Sequence, residues 1–213
     1  MSGDLARLMR FVLEMRQAGV TDARILAALE RTPRGHYAPA HLEGLALEDI
    51  GLPLANAQTM TKPSLVGRVL TALQPKDGEV VLEVGTGSGY QAAAMASMVH
   101  KVITLDRWSD LVADARGRFG RARLMRVYAH TADGFDGWEE DAPYDRIVVN
   151  AALEAPPAGL LAQLKPGGVL VAPIGSSEEQ RLIRFNNGSE EDLGSIRFQP
   201  LERGAVEAAA SEG

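Results

Sequence analysis

The sequence of 213 residues contains no cysteine, which excludes disulfides, thiolate metal sites and a cysteine nucleophile. Its four histidines show no HExxH-like spacing, so no metal site is predicted. No run of lysine and arginine stands out and the net charge is −6, so nucleic acid is not an expected partner. No apolar run approaches the roughly 20 residues of a membrane span, so no membrane association is expected.

The N-terminus shows no basic region followed by an apolar core, so we predict no signal peptide and expect a cytoplasmic protein. Hydrophobic residues make up 46% of the chain, which is enough to fill one sizeable core. The length suits a single domain.

The first third of the chain has apolar residues at helical spacing. They predict two helices within residues 4–33, with Thr21 as the N-cap of the second, and a third helix over 64–73. From residue 80 onward, predicted strands alternate with predicted helices, which indicates a parallel sheet with right-handed crossovers. The strands are predicted at 80–84, 101–105, 124–128, 144–150 and 169–174, and the helices at 90–99, 109–119 (N-cap Ser109) and 158–164.

After residue 175 the pattern changes. Two apolar segments, 181–185 and 195–201, are joined by the polar turn Asn186-Asn187-Gly188 and predict an antiparallel hairpin at a sheet edge. The predicted fold class is therefore α/β, with a doubly wound, mostly parallel sheet, N-terminal helices and a C-terminal hairpin.

Residues 80–91 are the most informative segment, because a β-branched strand runs into three glycines at alternate positions and then into an alanine-rich helix. Such glycines let the backbone turn sharply and approach a ligand without a Cβ clash. The dinucleotide pattern G-x-G-x-x-G needs a small residue where this chain has Tyr90, so NAD fits poorly. The spacing Glu83-x-Gly85-x-Gly87-x-Gly89 fits the turn of Rossmann-like methyltransferases and predicts S-adenosylmethionine as the cofactor.

Three acids follow three successive strands, at the carboxyl edge of the predicted sheet. Glu83 ends the first strand, where a carboxylate suits a cationic sulfonium and ammonium. Asp106 ends the next strand and is placed to accept both ribose hydroxyls. Asp133 follows the third strand, where it is placed to accept from the adenine amino group. One such acid is as readily a cap or a loop residue, but three together favour a cofactor site.

Three segments carry a more particular pattern. Residues 57–63 read A-Q-T-M-T-K-P, residues 82–91 read L-E-V-G-T-G-S-G-Y-Q, and residues 132–138 read A-D-G-F-D-G-W. They resemble the G-Q-T-I-S-Q-P, L-E-I-G-T-G-S-G-Y-Q and G-D-G-x-x-G-W of the protein-L-isoaspartate (D-aspartate) O-methyltransferase family. The likeness covers about residues 20–203, with further matching segments at 31–37, 47–54, 141–147 and 164–168.

This resemblance implies a Rossmann-like class I methyltransferase that uses S-adenosylmethionine and releases S-adenosylhomocysteine. It implies methylation of the α-carboxylate of L-isoaspartyl residues in damaged proteins and peptides, which starts their repair. The partners would be such proteins and peptides, and a monomer is expected. The single domain would then comprise a helical and acceptor-site segment (1–75), a cofactor-binding core (76–175), C-terminal strands (176–203) and a flexible tail (204–213).

The resemblance also implies which residues form the site. The implied cofactor-binding residues are Gln58, Thr59, Met60, Glu83, Gly85, Thr86, Gly87, Ser88, Gly89, Asp106, Arg107, Asp133 and Gly134. The implied substrate-binding residues are Thr61, Asn150 and Gln180. No metal-binding residue is implied.

The acceptor chemistry needs little acid–base assistance. An α-carboxyl group has a pKa of roughly 3.3–3.7 and is ionised at pH 7, so no general base is required and orientation should dominate. In the family the serine of Q-T-I-S helps to hold the acceptor, and Thr61 matches it here. Thr61 keeps the hydroxyl but adds a methyl group that stiffens χ1. We predict Thr61 as the catalytic residue; the alternative is that it only caps the helix starting near Pro63.

Some residues depart from the family pattern. Lys62 replaces a commonly neutral residue, Asn150 stands where the family often has threonine, and Asp106 is shorter than the more common glutamate. Two alternatives therefore stay open. One is a carboxyl methyltransferase of the same fold that acts on another peptide carboxylate. The other is a protein that binds the cofactor without transferring a methyl group.

Overall fold

The first third of the chain is helical in the computed structural model, which describes residues 2–206. Helix α1 spans Ser2–Gln17 and α2 spans Ala23–Arg31, as the apolar spacing predicted. The N-cap of α2 is Asp22, whose carboxylate accepts from two amides of the first turn at 2.8 and 3.4 Å. The prediction that Thr21 caps this helix is wrong, because the carboxylate one residue later satisfies those amides.

A short antiparallel ribbon and a third helix complete the N-terminal part. Strand β1 (Leu52–Pro53) pairs with β2 (Thr59–Met60), and α3 spans Pro63–Leu73. Proline suits the first helical position, where its fixed φ is already helical and no amide hydrogen is needed. The ribbon therefore delivers residues 58–61 directly to the start of α3.

A seven-stranded sheet forms the rest of the fold. Its elements are β3 (Val80–Val84), α4 (Tyr90–Met95), β4 (Lys101–Asp106), α5 (Ser109–Arg121), β5 (Val127–Thr131), β6 (Tyr144–Val149), α6 (Ala158–Leu161), β7 (Leu164–Gly175), β8 (Gln180–Asn186) and β9 (Ser189–Ile196). The spatial order is β5-β4-β3-β6-β7-β8-β9. The first five strands of this order pair in parallel, whereas β8 and β9 are antiparallel. The predicted α/β fold with a C-terminal hairpin is confirmed.

Strand β3 lies where the strand order reverses, because β4 and β5 continue on one side and β6 and β7 on the other. Both faces of the sheet are covered. Val81 and Val102 join an apolar core with α1 to α5, while Leu82 and Ile103 join a second core with Leu160 of α6. Ligands of open α/β sheets bind outside the carboxyl ends of the strands at such a reversal point.

The C-terminal hairpin differs from the prediction in its second strand. Its turn is Asn187-Gly188, with φ of +49° and +77°, as a type I′ turn requires. Strand β9 therefore begins at Ser189, well before the predicted strand 195–201. The reason is that Glu190, Glu191 and Asp192 form an exposed, charged edge without an alternating apolar pattern.

Other boundaries also move. Ser109 is the first residue of α5 and Trp108 is the N-cap, without a side-chain hydrogen bond, so the prediction of Ser109 as N-cap is wrong. Strand β7 begins at Leu164 because that residue already pairs with Tyr144, before a register irregularity. Of the predicted flexible tail 204–213, residues 207–213 lie outside the described part of the chain.

The packing of α3 gives a stability prediction. A Cβ added at Gly67 would lie 2.5 Å from a methyl group of Val20, whose branched side chain turns aside only at a cost. We expect Gly67→Ala to lower the free energy of unfolding by about 1–3 kcal/mol, despite the higher helix propensity of alanine. Urea unfolding measures the change.

Gly120→Ala in α5 is the matched control, because nothing lies within 4 Å of a Cβ added there. It should raise the free energy of unfolding by about 0.5–1 kcal/mol. A Gly67→Ala protein as stable as Gly120→Ala would show that Val20 moves aside freely.

Candidate active site

A cavity of about 810 Å³ opens at the carboxyl ends of β3, β4 and β6. This volume falls within the range of small-molecule and cofactor sites. Four stretches of chain form most of its walls: residues 56–62, 84–88, 105–108 and 197–202. The cavity therefore lies at the reversal point of the sheet.

The turn after β3 forms one wall of the cavity. The amides of Gly85 and Thr86 both donate to the carbonyl of Leu105, at 2.8 and 2.9 Å. Gly85 has a φ of +95°, and a Cβ there would lie 3.1 Å from the Cβ of Asn150. Both facts favour glycine, so the backbone itself faces the cavity at this point.

Asp106 lines the cavity at the end of β4 and is 9% exposed. One carboxylate oxygen accepts from the amide of Gly87 at 2.8 Å and the other from the amide of Trp108 at 3.1 Å. Burial raises the pKa of Asp106, and these amides oppose the rise. Because each carboxylate oxygen has about two acceptor positions, both keep capacity for a second donor, as two vicinal hydroxyls of a ribose would provide.

Glu83 lies beneath the turn and does not line the cavity. Its side chain is completely buried. It accepts hydrogen bonds from the Thr104 hydroxyl at 2.6 Å and from the Asn150 amide at 3.2 Å. The expectation that Glu83 meets the cationic part of a ligand directly is therefore corrected: Thr86, Gln91 and Asn150 line the cavity where that contact was expected.

The partners of Glu83 extend to the cavity wall on both sides. The Thr86 hydroxyl lies 2.7 Å from that of Thr104, and Gln91 donates to the side-chain oxygen of Asn150 at 3.0 Å. Complete burial raises the pKa of Glu83 to about 8, although the hydrogen bonds from its neighbours oppose the shift. Glu83 is therefore connected to the cavity wall through the hydrogen bonds of its neighbours.

Asp133 follows β5 as predicted, but its carboxylate makes other contacts than expected. It does not line the cavity, although Ala132 and Gly134 do. Its two oxygens accept from the amides of Phe135 at 2.9 Å and Gly204 at 2.7 Å. This carboxylate therefore holds its own loop against the C-terminal segment, and the structure provides no contact from it to the cavity.

The segment from Gln58 to Thr61 forms another wall of the same cavity. The N-cap of α3 is Lys62, without a side-chain hydrogen bond. Asp49 serves the free end of this helix instead, because it accepts from the amide and the hydroxyl of Ser64 at 2.8 and 2.7 Å. The alternative that Thr61 caps α3 is therefore wrong, and Thr61 lines the cavity beside Lys62.

Gln180 lines the cavity but uses both ends of its amide elsewhere. Its oxygen accepts from the amide of Phe198 at 2.7 Å, and its nitrogen donates to the carbonyl of the same residue at 3.0 Å. Gln180 therefore holds the chain where it leaves β9. The predicted contact of Gln180 with the acceptor would need a hydrogen-bond position beyond these two.

Sequence reasoning missed two parts of the cavity wall. Trp108 lines it two residues after Asp106, and residues 197–202 cross it after β9. The latter segment is fixed by Gln199, which donates to the carbonyl of Ala57 at 2.8 Å. Proximity to Asp106 was a signal for Trp108, but residues 197–202 carry no motif.

The structure brings most of the predicted residues together. Those that line the cavity are Gln58, Thr59, Met60, Thr61, Gly85, Thr86, Gly87, Ser88, Asp106, Arg107, Gly134, Asn150 and Gln180. Those outside its lining are Glu83, Gly89 and Asp133. Within residues 2–206, no three His, Asp or Glu side chains gather as metal ligands, and none of the helices there has the length and apolar character that a membrane crossing requires.

Comparisons of the sequence with known proteins agree on one family. The family model for protein-L-isoaspartate(D-aspartate) O-methyltransferase matches residues 7–204. A protein-L-isoaspartate O-methyltransferase of Paracoccus denitrificans is 45% identical over 93% of this chain and 94% of its own. One of Cereibacter sphaeroides is 47% identical over 93% of both chains.

Solved structures agree in fold. A protein-L-isoaspartate O-methyltransferase superimposes with a TM-score of 0.82 and 25% identity, over 93% of this chain and 67% of that one. A structure from Plasmodium falciparum, described as a protein-L-isoaspartate O-methyltransferase in complex with S-adenosyl-L-homocysteine, has a TM-score of 0.77 and 21% identity. It covers 91% of this chain and 97% of that one.

The raised pKa of Glu83 predicts how stability depends on pH. This pKa is about 8 in the folded protein and near 4.5 in the unfolded chain, so between these values the folded state keeps a proton that the unfolded state releases. Stability is therefore lost as the pH rises through this window, by up to about 1.4 kcal/mol per pH unit. We expect Glu83→Gln, which does not ionise, to remove this loss.

Urea unfolding at pH 5 and pH 8 measures the effect in wild type and variant. Glu190→Gln on β9 is the matched control, because Glu190 is exposed. If wild type and Glu83→Gln differ by the same amount at both pH values, Glu83 is already ionised in the folded protein at pH 5.

Proposed function

The chain belongs to the protein-L-isoaspartate(D-aspartate) O-methyltransferase family, and we propose that its cavity holds S-adenosylmethionine against the glycine turn and the acceptor carboxylate beside Thr61. The chain is an S-adenosylmethionine-dependent methyltransferase that methylates isoaspartyl residues, a reaction that serves protein repair. The sites of cofactor and acceptor are the proposed part.

One observation carries this proposal: the glycine turn, Asp106 and residues 58–61 all line a single cavity. The glycine turn and Asp106 have the features of a nucleoside site, and residues 58–61 resemble the family's acceptor segment. A methyl donor bound along the turn would share this cavity with Thr61. The segments 1–75 and 76–175 would thus act as one functional unit.

The residues present fit S-adenosylmethionine. Asp106 keeps two acceptor positions for the ribose hydroxyls. The network above Glu83 offers the side chains of Thr86 and Asn150 to the amino-acid end. A cation bound there stabilises the ionised form of Glu83, so binding would lower the pKa of this acid from its value of about 8.

When bound, S-adenosylmethionine supplies an electrophilic methyl group to the acceptor carboxylate and leaves as S-adenosylhomocysteine. The protein's own task is to hold that carboxylate, which is ionised at pH 7 and needs no general base. Among the described residues, no histidine lines the cavity, in keeping with this task. The Thr61 hydroxyl would donate to one carboxylate oxygen and so aim the other at the methyl group.

The part of the cavity wall formed by residues 56–58 is fixed at two points. Asn56 donates to both oxygens of Asp110 at 2.9 Å, which ties residues 54–58 to α5. Gln199 ties the same segment to the chain after β9. We propose that this part of the wall excludes water from the cofactor, which protects the methyl group and strengthens the electrostatic contacts inside.

A monomer, a cytoplasmic location and the absence of nucleic-acid partners remain predictions from the sequence. Size-exclusion chromatography with light scattering tests the first of them.

The preferred acceptor is the decisive prediction. We expect labelled S-adenosylmethionine to label a peptide that contains L-isoaspartate and to leave the matched aspartyl peptide unlabelled. Labelling of another peptide carboxylate alone would support the alternative that the changes at Lys62 and Asn150 redirect the enzyme. Cofactor binding without labelling of any acceptor would support a binding protein without transfer.

The role of Thr61 is tested by Thr61→Val, which removes the hydroxyl and keeps the shape. We expect kcat for an isoaspartyl peptide to fall about tenfold or more, because one hydrogen-bond donor to the acceptor is lost. Thr71→Val in α3 is the matched control, since its hydroxyl donates to the Gly67 carbonyl at 2.7 Å, away from the cavity. Unchanged transfer by Thr61→Val would show that this hydroxyl does not orient the acceptor.

A further inference from the structure

Arg34 is one of the largest completely buried side chains, with an exposed fraction of 1%. It makes no salt bridge with any described carboxylate. Burial of an unpaired cation costs several kcal/mol, and it lowers the pKa of Arg34. A group held at such a cost needs a structural or functional reason.

The two terminal nitrogens of Arg34 donate to three backbone carbonyls, whereas its buried Nε has no hydrogen-bond partner. One terminal nitrogen donates to Ala46 at 2.9 Å, and the other donates to Ile50 at 3.0 Å and to Thr61 at 3.2 Å. These carbonyls belong to one segment, residues 46–61, which contains the β1–β2 ribbon. The planar guanidinium suits this task because its donors point in fixed, divergent directions, which a lysine ammonium does not offer.

The third carbonyl belongs to the proposed acceptor-holding residue. Arg34 thus holds Thr61 through its backbone carbonyl, and the same residue lines the cavity. Asp49, beside Ile50, holds the start of α3 through Ser64. The first turn of α3 is therefore capped by Asp49 and does not use the Thr61 hydroxyl.

Arg34 also meets the cofactor side of the cavity. Its guanidinium carbon lies 5.9 Å from the ring centre of Tyr90, which is the first residue of α4 and lines the cavity. Tyr90 directly follows the glycine turn. Arg34 therefore contacts both the acceptor segment, at Thr61, and the residue that follows the glycine turn, Tyr90.

We propose that Arg34 is a positioning residue, which sets the distance between the acceptor held by Thr61 and the cofactor held by the glycine turn. This inference rests on the proposed role of Thr61. It adds a residue that touches neither substrate nor cofactor and acts through the backbone of the acceptor segment.

The test uses Arg34→Lys, which keeps the positive charge and loses the planar guanidinium with its divergent donors. We expect kcat with an isoaspartyl peptide to fall about 10- to 100-fold, because an acceptor carboxylate displaced by about 1 Å attacks the methyl group poorly. The Kd of S-adenosylhomocysteine, measured by calorimetry, should stay within about twofold, because Arg34 does not line the cavity and its lost hydrogen bonds go to the acceptor segment. Equal losses in transfer and in S-adenosylhomocysteine binding would overturn the proposal.

Arg146→Lys is the matched control. Arg146 is also buried, donates to the backbone carbonyls of Gln74 and Asp145, and pairs with Glu79 at 2.7 Å, away from the cavity. It should affect stability without a loss in kcat. A loss in kcat as large as that of Arg34→Lys would show that loss of any buried guanidinium has this effect.

A double-mutant cycle separates positioning from general stability. If Arg34 acts through Thr61, then Arg34→Lys should have little further effect on kcat in the Thr61→Val background, whereas independent effects would multiply. Multiplying effects would overturn the proposal. If Thr61→Val alone leaves kcat unchanged, this inference falls while the isoaspartyl activity of the wild type stands.

Hydrogen exchange gives a readout that does not depend on activity. Amides of residues 57–62 should exchange faster in Arg34→Lys than in wild type or Arg146→Lys, with all proteins saturated with S-adenosylhomocysteine to stabilise the folded state. Unchanged exchange would contradict the proposal that Arg34 holds the acceptor segment. An Arg34→Lys protein that stays unfolded in the presence of S-adenosylhomocysteine would also contradict it, since Arg34 would then be required for folding itself. A wild type that methylates no isoaspartyl peptide would refute the proposed function, while this exchange result would still decide the role of Arg34.

Discussion

One buried carboxylate constrains the cofactor side of the cavity. Glu83 belongs to β3, accepts from Thr104 on β4 and accepts from Asn150 directly after β6, so it links the carboxyl ends of three strands. Without these partners a buried acid would be costly in either protonation state. The glycine turn starts two residues later, and the same network reaches it, because Asn150 also donates to the carbonyl of Gly85 at 3.2 Å.

The sheet could be predicted from the sequence because its parallel strands are buried on both faces and read as continuous apolar runs between glycine or proline breaks. The edges of the elements could not. Strand β9 has a polar, exposed first half, and the N-caps at Asp22 and Trp108 depend on backbone angles that residue type alone does not reveal. The same limit explains why Asp133, correctly placed after a strand, binds its own loop instead of facing the cavity.

The site was predicted where chemistry and local chain direction coincide, as at Asp106 and in the glycine turn. It was not predicted where long-range contacts decide. Residues 197–202 are held at the cavity by the side chains of Gln180 and Gln199 and by backbone hydrogen bonds to Ala152. Arg34 belongs to a segment that matches the family, yet its three carbonyl partners lie 12 to 27 residues away in the chain. No periodicity or spacing shows such a contact.

The charged edge strand β9 affects how this enzyme can pair with other polypeptide chains. Its substrates are damaged chains, and partly unfolded segments readily add themselves to an open sheet edge. Along β9, the exposed acids at 190–192 disfavour such pairing, and Arg68 already occupies the carbonyls of Leu193 and Ser195. At β9, the edge of the sheet is therefore protected against pairing with another chain.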